Sequence, residues 1–159
     1  MDTAKTEKIS FTHYKIHTEI LIDASPEVVW SILTDTNNYD GWAAFLVDIK
    51  GDVADGASVT TVFQIDPAKE KKTTIDHTIT VVDGEEFFWA EKGPGGIRDN
   101  HHFRVEAAAG GKTRFIQSDE IMGGLTWLMG RRLAKMYRDG YQAFNRGLKA
   151  EAERRAGAR

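Results

Sequence analysis

Four polar residues stand in rows of this sequence that are otherwise apolar, and they define the chemistry the chain could perform. His77 shares a period-two row with Ile75, Ile79 and Val81. His101 falls in a row with Phe103 and Val105, and Gln117 and Asp119 alternate into line with Phe115 and Ile121. Side chains two apart on a strand point the same way. If these rows face inward, all four polar groups enter an apolar space, where each must hydrogen-bond to another, to water or to a ligand. Convergent polar groups in an apolar cavity are how a small-molecule pocket usually looks. His101 and Asp119 are also an acid–base combination, because a histidine oriented by a carboxylate can act as a general base near neutral pH. The plainer readings are a structural His–Asp pair, or rows that splay apart and meet solvent at the mouth of the sheet.

Other combinations carry less. His13 and His17 are four apart, but in a strand that separates them by roughly 13 Å. His101 and His102 are adjacent and point to opposite faces, so no set of three ligands emerges and no metal site is expected. Gly93-Pro94-Gly95-Gly96 lacks the strand–glycine–helix context of a phosphate cradle and reads as a hairpin loop. The chain has no cysteine, which removes disulfides, thiolate catalysis and iron–sulfur clusters. No cofactor is expected. The aromatic residues Trp42, Phe63, Trp89, Phe103, Tyr137, Tyr141 and Phe144 are core-forming by type, and several would line any cavity.

The elements that must hold these residues follow from periodicity. Residues 1–12 show no periodic pattern and read as a tail, leaving one domain over 13–155. His13–Asp23 alternates as a half-buried strand, with Tyr14, Ile16, Thr18, Ile20 and Ile22 on one face. Ser25-Pro26-Glu27 has the chemistry of a helix start, and Val28, Val29, Ile32 and Leu33 continue at helical spacing. A second helical turn is expected over Tyr39–Phe45. Runs at Leu46–Gly51, Ala57–Asp66, Lys72–Val82, Phe87–Trp89, Arg98–Ala107 and Thr113–Met122 follow. Short turns, Asp83-Gly84 and Gly110-Gly111 among them, join them into an antiparallel meander.

Then the period changes. Leu125, Met129, Leu133, Tyr137, Tyr141, Phe144 and Leu148 form one face of a helix that, over Leu125–Ala152, is about 42 Å long. The expected fold is α+β, with about seven strands in a strongly curved antiparallel sheet, in the order β-α-α-β6-α, wrapped around that helix. A curved sheet diverges from a straight rod, so a ligand-sized space between the layers is expected. Gly140 and Gly147 lie on one edge of the stripe, each costing roughly 1 kcal/mol relative to alanine. Close approach to the sheet is expected at Gly147, and room for a ligand at Gly140.

Length and charge bound the rest. The 159 residues fit one domain, and the formal net charge of −3 is that of no polyanion binder. The basic residues from Arg131 to Arg159 are mixed with Asp139, Glu151 and Glu153 and have no accompanying aromatic stripe, so no nucleic-acid partner is expected. No segment resembles a signal peptide or a membrane span, which makes the cytoplasm the expected location.

The order of elements and several local stretches resemble the SRPBCC superfamily. This is the helix-grip group that includes birch-pollen-type allergens, START lipid-transfer domains and polyketide cyclases. The matching pieces run from Ile20-Leu-Ile-Asp-Ala-Ser-Pro-Glu-Val-Val-Trp30 through Trp42 and His101-His-Phe-Arg-Val-Glu106. Gly111-Lys-Thr-Arg114, Ser118-Asp-Glu-Ile-Met-Gly123 and the stretch from Phe144 to Glu153 complete them. The resemblance implies a hydrophobic pocket between helix and sheet that takes a lipid- or polyketide-like molecule, as carrier or sensor. Its lining would come from Trp42, Phe63, His77, Trp89, His101, Phe103, Gln117, Asp119, Tyr137, Tyr141 and Phe144. The same superfamily contains enzymes, so a cyclase or dehydratase using His101 and Asp119 is the alternative. A third reading is an interaction module whose pocket tunes a partner surface. The sequence leaves a homodimer open.

Overall fold

The computed structural model describes residues 2–157, the side chains of Glu91 and Pro94 excepted. Nine strands and two helices follow one another as β1 (Asp2–Ser10), β2 (His13–Ile22), α1 (Pro26–Thr34), β3 (Leu46–Lys50), β4 (Ser58–Phe63) and β5 (Thr73–Thr78). After them come β6 (Thr80–Val82), β7 (Glu86–Lys92), β8 (Arg98–Ala108), β9 (Lys112–Met122) and α2 (Thr126–Gly157). The strands form two antiparallel sheets, β1-β2-β9-β8-β7-β6 and β3-β4-β5. α2 crosses them as a rod of 32 residues, about 48 Å long. This is the helix-grip α+β architecture expected from the sequence.

The sheet is divided rather than continuous, which accounts for one of the two strands beyond the expected seven, β1 being the other. The run Lys72–Val82 breaks at Ile79. Before the break β5 pairs with β4, and after it β6 pairs with β7 in the other sheet. Ile79 itself is fully buried and bonds to neither ladder. Its N–H donates to the Ala57 carbonyl (2.9 Å) and its carbonyl accepts from the Gly56 N–H (2.9 Å). The corner lets the second sheet curl over α2.

Residues 2–10, expected as part of a tail, form the edge strand β1, in register with β2 from Asp2↔Ile20 to Lys8↔Tyr14. Their side chains are mostly exposed. The strand is held by its backbone ladder instead of an apolar face, so it leaves no period-two signal. The helix expected over Tyr39–Phe45 is a single turn, in which the Ala43 N–H donates to the Tyr39 carbonyl (3.0 Å). It stops short of Phe45, whose φ of +71° no helix can carry.

The core follows the predicted rows. Ile16, Thr18, Ile20 and Ile22 of β2, Phe115 and Ile121 of β9, and Phe144 and Leu148 of α2 are all buried. α1 covers one end with Val28, Val29, Ile32 and Leu33. The apolar stripe of α2 is buried over only part of its length, because Leu125 and Met129 are exposed. At Gly147 a Cβ would overlap the Trp42 carbonyl oxygen, the close approach expected there. Gly140 differs from expectation. A Cβ there would overlap the Phe45 ring, so the place of the missing side chain is taken by an aromatic residue of this chain instead of being left open.

Gly147→Ala should therefore destabilise the domain by about 1–3 kcal/mol in chemical denaturation, because the overlap is with backbone and outweighs the helix-propensity gain of roughly 1 kcal/mol. Gly157→Ala, where nothing lies within 4 Å, is the control and should be neutral or stabilising. Equal effects at the two positions would mean that α2 does not touch the Trp42 backbone.

Candidate functional site

The four polar residues singled out by the strand rows are all buried. Gln117, on β9, is the centre of a hydrogen-bond network. Its Nε2 donates to Asn145 Oδ1 of α2 (2.6 Å) and to the Tyr141 carbonyl (3.3 Å), which fixes the amide orientation and leaves Oε1 as an acceptor. His101 Nε2 lies 2.9 Å from Oε1 and so must carry the proton and donate. Asn145 Nδ2 in turn donates to Thr18 Oγ1 of β2 (3.1 Å), and Thr18 Oγ1 reaches the Gln117 carbonyl (3.5 Å). The His101 ring also stacks on Tyr141, with centroids 4.3 Å apart.

Asp119 belongs to a separate branch of the site. Tyr141 Oη donates to its Oδ2 (2.7 Å) and the Asn100 N–H to its Oδ1 (3.2 Å). The second bond spans a gap in the sheet. The β8–β9 ladder runs Arg98↔Met122, resumes at His102↔Ser118 in the same register, and is unpaired between them. The carboxylate thus gives the Asn100 N–H a partner where the strands part. No His101–Asp119 hydrogen bond exists in this arrangement. Tyr141 lies between the two residues, stacked on one and bonded to the other.

Burial favours the neutral form of both residues, fully for His101 at neutral pH and partly for Asp119. Burial pushes the His101 imidazole down to about 3, against a smaller opposing effect of its bond to Gln117. Burial, reinforced by the nearby Asp99 carboxylate, raises Asp119 to about 7, although the bonds from Tyr141, Asn100 and the Glu120 backbone pull it down. Tyr141 and Tyr137 are both pushed up by burial and by the charge of Asp119.

The space between helix and sheets is filled by side chains. Phe87, Trp89, Phe103, Phe115 and Phe144 pack into one cluster there. His77 lies flat on Trp89, with centroids 4.6 Å apart. Trp42 packs edge-on to Phe144 at 5.2 Å. Apart from an open surface groove of about 430 Å³ beside Phe45, bordered by Val47, Ile65, Met136 and Gly140, what remains is a cavity of about 50 Å³ at the mouth, bounded by Phe45, Phe63, Ile65, Thr73, Ile75, Asp99, His101, Tyr137 and Tyr141. That is room for a water molecule or two, not the 300 Å³ or more of a typical ligand site. The ligand-sized cavity expected from the curvature is closed because the second sheet folds over α2 and large aromatics occupy the gap.

Of the expected lining residues, Phe63, His101, Tyr137 and Tyr141 reach this cavity. Gln117 and Asp119 stand behind it, bonded to His101 and Tyr141. Trp42, His77, Trp89, Phe103 and Phe144 pack in the interior. Sequence reasoning missed Phe45, Asp99, Asn145 and Thr18. Asn145 left a signal, as a polar residue four positions from Tyr141 within the apolar arc. Phe45 left none. It contacts Phe63, Tyr137 and Tyr141 edge-on at 5.3–6.0 Å and plugs the mouth.

The two buried titrations oppose one another. Below the ordinary histidine value of about 6.5 the unfolded chain takes up a proton that His101 refuses, so stability falls as pH drops toward 3. Between about 4 and 7 the folded chain keeps a proton on Asp119 that the unfolded chain has released, so stability falls as pH rises. Asp119→Asn removes only the second effect. Its stability relative to the parent should rise with pH across 4–7, by on the order of 1 kcal/mol per pH unit, in urea titrations at each pH. Parallel curves would mean that Asp119 is ionised in the folded protein.

Comparison with known proteins agrees with this architecture. The sequence matches the family described as polyketide cyclase/dehydrase and lipid transport over residues 13–153. No curated protein matches it. Among solved structures, the Zhui aromatase/cyclase from Streptomyces sp. R1128 superposes with a TM-score of 0.69 at 14% identity, over 90% of this chain and 95% of that one. A START superfamily protein from Mycobacterium smegmatis gives 0.68 at 14% identity, over 88% and 97%. The di-domain aromatase/cyclase StfQ of the steffimycin biosynthetic pathway gives 0.75 at 10% identity, over 92% of this chain and 53% of that one. At these identities the likeness is one of fold, and the family match over most of the chain supplies the assignment. With its divided sheet closed over one long helix, and that match from residue 13 to residue 153, the chain belongs to the polyketide cyclase/dehydrase and lipid-transport family.

Proposed function

We propose that this protein binds a small hydrophobic or aromatic molecule, lipid- or polyketide-like, at the mouth between the second sheet and α2, as a carrier or sensor. The observation that carries this reading is the convergence of His101, Tyr137, Tyr141 and Asp99 on a cavity whose other walls are largely apolar. A cavity of about 50 Å³ holds no such molecule, so uptake requires the plug to move. Phe45 is the side chain placed to do so. It sits in a left-handed backbone conformation, which costs a non-glycine residue about 1–2 kcal/mol. With Phe45 swung outward, Gly140 and the faces of Phe63 and Tyr141 are uncovered. The ligand would lay its apolar body there and hydrogen-bond to Tyr137 or Tyr141.

One observation favours a second reading, an enzyme of cyclase or dehydratase type. Burial raises Asp119 to about 7, where it can take up or release a proton near neutral pH, and it is coupled to the cavity through Tyr141. The scheme starts with Asp119 protonated and its hydrogen bond with Tyr141 reversed, so that the carboxyl O–H donates to Tyr141 Oη. The tyrosine proton would then pass to a substrate oxygen at the mouth as the carboxyl proton moved onto Tyr141, leaving Asp119 as carboxylate. His101, kept neutral with its Nε2 proton committed to Gln117, would position the substrate in this scheme more readily than deprotonate it.

Native mass spectrometry of the purified protein, followed by denaturing extraction, should find a stoichiometric apolar compound. No retained compound, together with no thermal shift across a panel of lipids and aromatic polyketides, would sink the binding reading. Phe45→Ala should increase ligand uptake while lowering stability by about 3 kcal/mol. Phe45→Gly should open the mouth equally and be more stable than Phe45→Ala by about 1 kcal/mol, because glycine relieves the left-handed backbone. For the second reading, Asp119→Asn should retain binding and lose turnover of a polyketide substrate.

A further inference from the structure

The apolar stripe of α2 begins in solvent. Leu125, Trp127, Leu128 and Met129 are 42, 55, 68 and 38% exposed, and beside them the β1–β2 hairpin presents Ile9 and Phe11 at 45 and 67%. The two segments are tied together. The Thr12 carbonyl accepts from the Gly123 N–H (2.9 Å) and from Thr126 Oγ1 (3.0 Å). On the other side the Leu125 N–H donates to the Gly95 carbonyl (3.2 Å). Six large apolar side chains therefore project from one end of the domain on segments that hydrogen bonds hold in place. Single exposed apolar residues need no explanation, but a cluster of this size marks an interaction surface.

The charge behind the cluster indicates what it meets. From Thr126 to Arg138 the chain carries Arg131, Arg132, Lys135 and Arg138 and no acidic residue, in a protein of net charge −3. Lys8, Arg131, Lys135 and Arg138 line a groove of about 480 Å³ between β1 and α2. Lys135 and Arg138 share Asp139, whereas among the described residues Arg131 and Arg132 take part in no ion pair. Lys8 lies over the Phe11 ring, 5.1 Å from its centroid. Along α2, Arg131 and Arg132 stand one turn behind Trp127 and Leu128 on the same faces. Apolar and indole side chains at the tip, with cations one turn behind, is the order in which the interface of an anionic bilayer takes them.

We propose that this end of the domain docks on an anionic lipid surface. Phe11, Trp127 and Leu128 enter the headgroup layer, while Lys8, Arg131, Arg132 and Lys135 meet lipid phosphates. A second copy of the chain is a poorer occupant, since it would face the α2 cations with the same cations, and of the acids at this end Asp139 and Glu120 are already paired. Docking does not depend on what the interior cavity holds.

Vesicle co-sedimentation tests this directly, with phosphatidylcholine alone against phosphatidylcholine containing phosphatidylglycerol. The protein should partition to the anionic vesicles and be released by high salt. Tryptophan emission should shift to the blue on binding, and Trp127→Phe should remove most of that shift while retaining binding. Arg131→Ala with Arg132→Ala should weaken partitioning about 25-fold, at roughly fivefold per cation. Trp127→Ser with Leu128→Ser should abolish it, with thermal unfolding unchanged because both side chains are exposed. Equal binding to both vesicle types, or binding to neither, would overturn the proposal. So would a dimer in analytical ultracentrifugation that the double serine variant dissociates.

Discussion

The side-chain amide of Gln117 ties together layers that would otherwise touch mainly through hydrocarbon. It joins β8 through His101 and α2 through Asn145, and Asn145 carries the chain of bonds on to Thr18 of β2. A single hydrogen bond contributes only about 1 kcal/mol net, yet each orphaned buried partner costs about 1–3 kcal/mol. The network therefore acts less as a source of stability than as a constraint on register. A rotation of α2 or a slip of β9 would orphan several buried groups at once. Hydrocarbon packing alone, as at Phe115 and Phe144, tolerates such shifts far better.

That constraint also shapes the site. Because Gln117 holds His101 in one tautomer against Tyr141, the Tyr141 hydroxyl is aimed at Asp119 instead of at the imidazole. The gap between β8 and β9 completes the arrangement by presenting the Asn100 N–H to the same carboxylate. A buried acid and a buried base thus sit on either side of one tyrosine, each with its neutral form favoured by burial.

Closure of the interior follows from the corner at Ile79. By passing the chain from one sheet to the other, it brings β4 and β5 over α2 and lets Phe45, Phe63 and Tyr137 meet above the helix. The family fold is shared by proteins solved as aromatase/cyclases and by a START superfamily protein. In this chain the space between the layers is filled by aromatic side chains, with a small cavity at the mouth. In the proposed binding reading, capacity would depend on how far the plug at Phe45 moves.

The strand rows, the start of α1 and the long amphipathic helix were legible in the residues, because period and polarity act locally and survive any tertiary arrangement. The rows placed His77, His101, Gln117 and Asp119 on apolar faces, and the tertiary structure turned those faces inward. The close approach at Gly147 met its expectation and the room expected at Gly140 did not, since a glycine inside a helix is compatible with either and only the packing decides. Three features were decided only by the tertiary structure. β1 is recruited by the open edge of β2, a backbone interaction that leaves no side-chain pattern. His101 bonds to Gln117 and not to Asp119, because partner choice depends on angles between strands and helix that spacing does not encode. The cavity is small because Phe45, a single residue in a left-handed conformation, folds its ring against Gly140, and the two are brought together across 95 residues by the packing of the second sheet on α2.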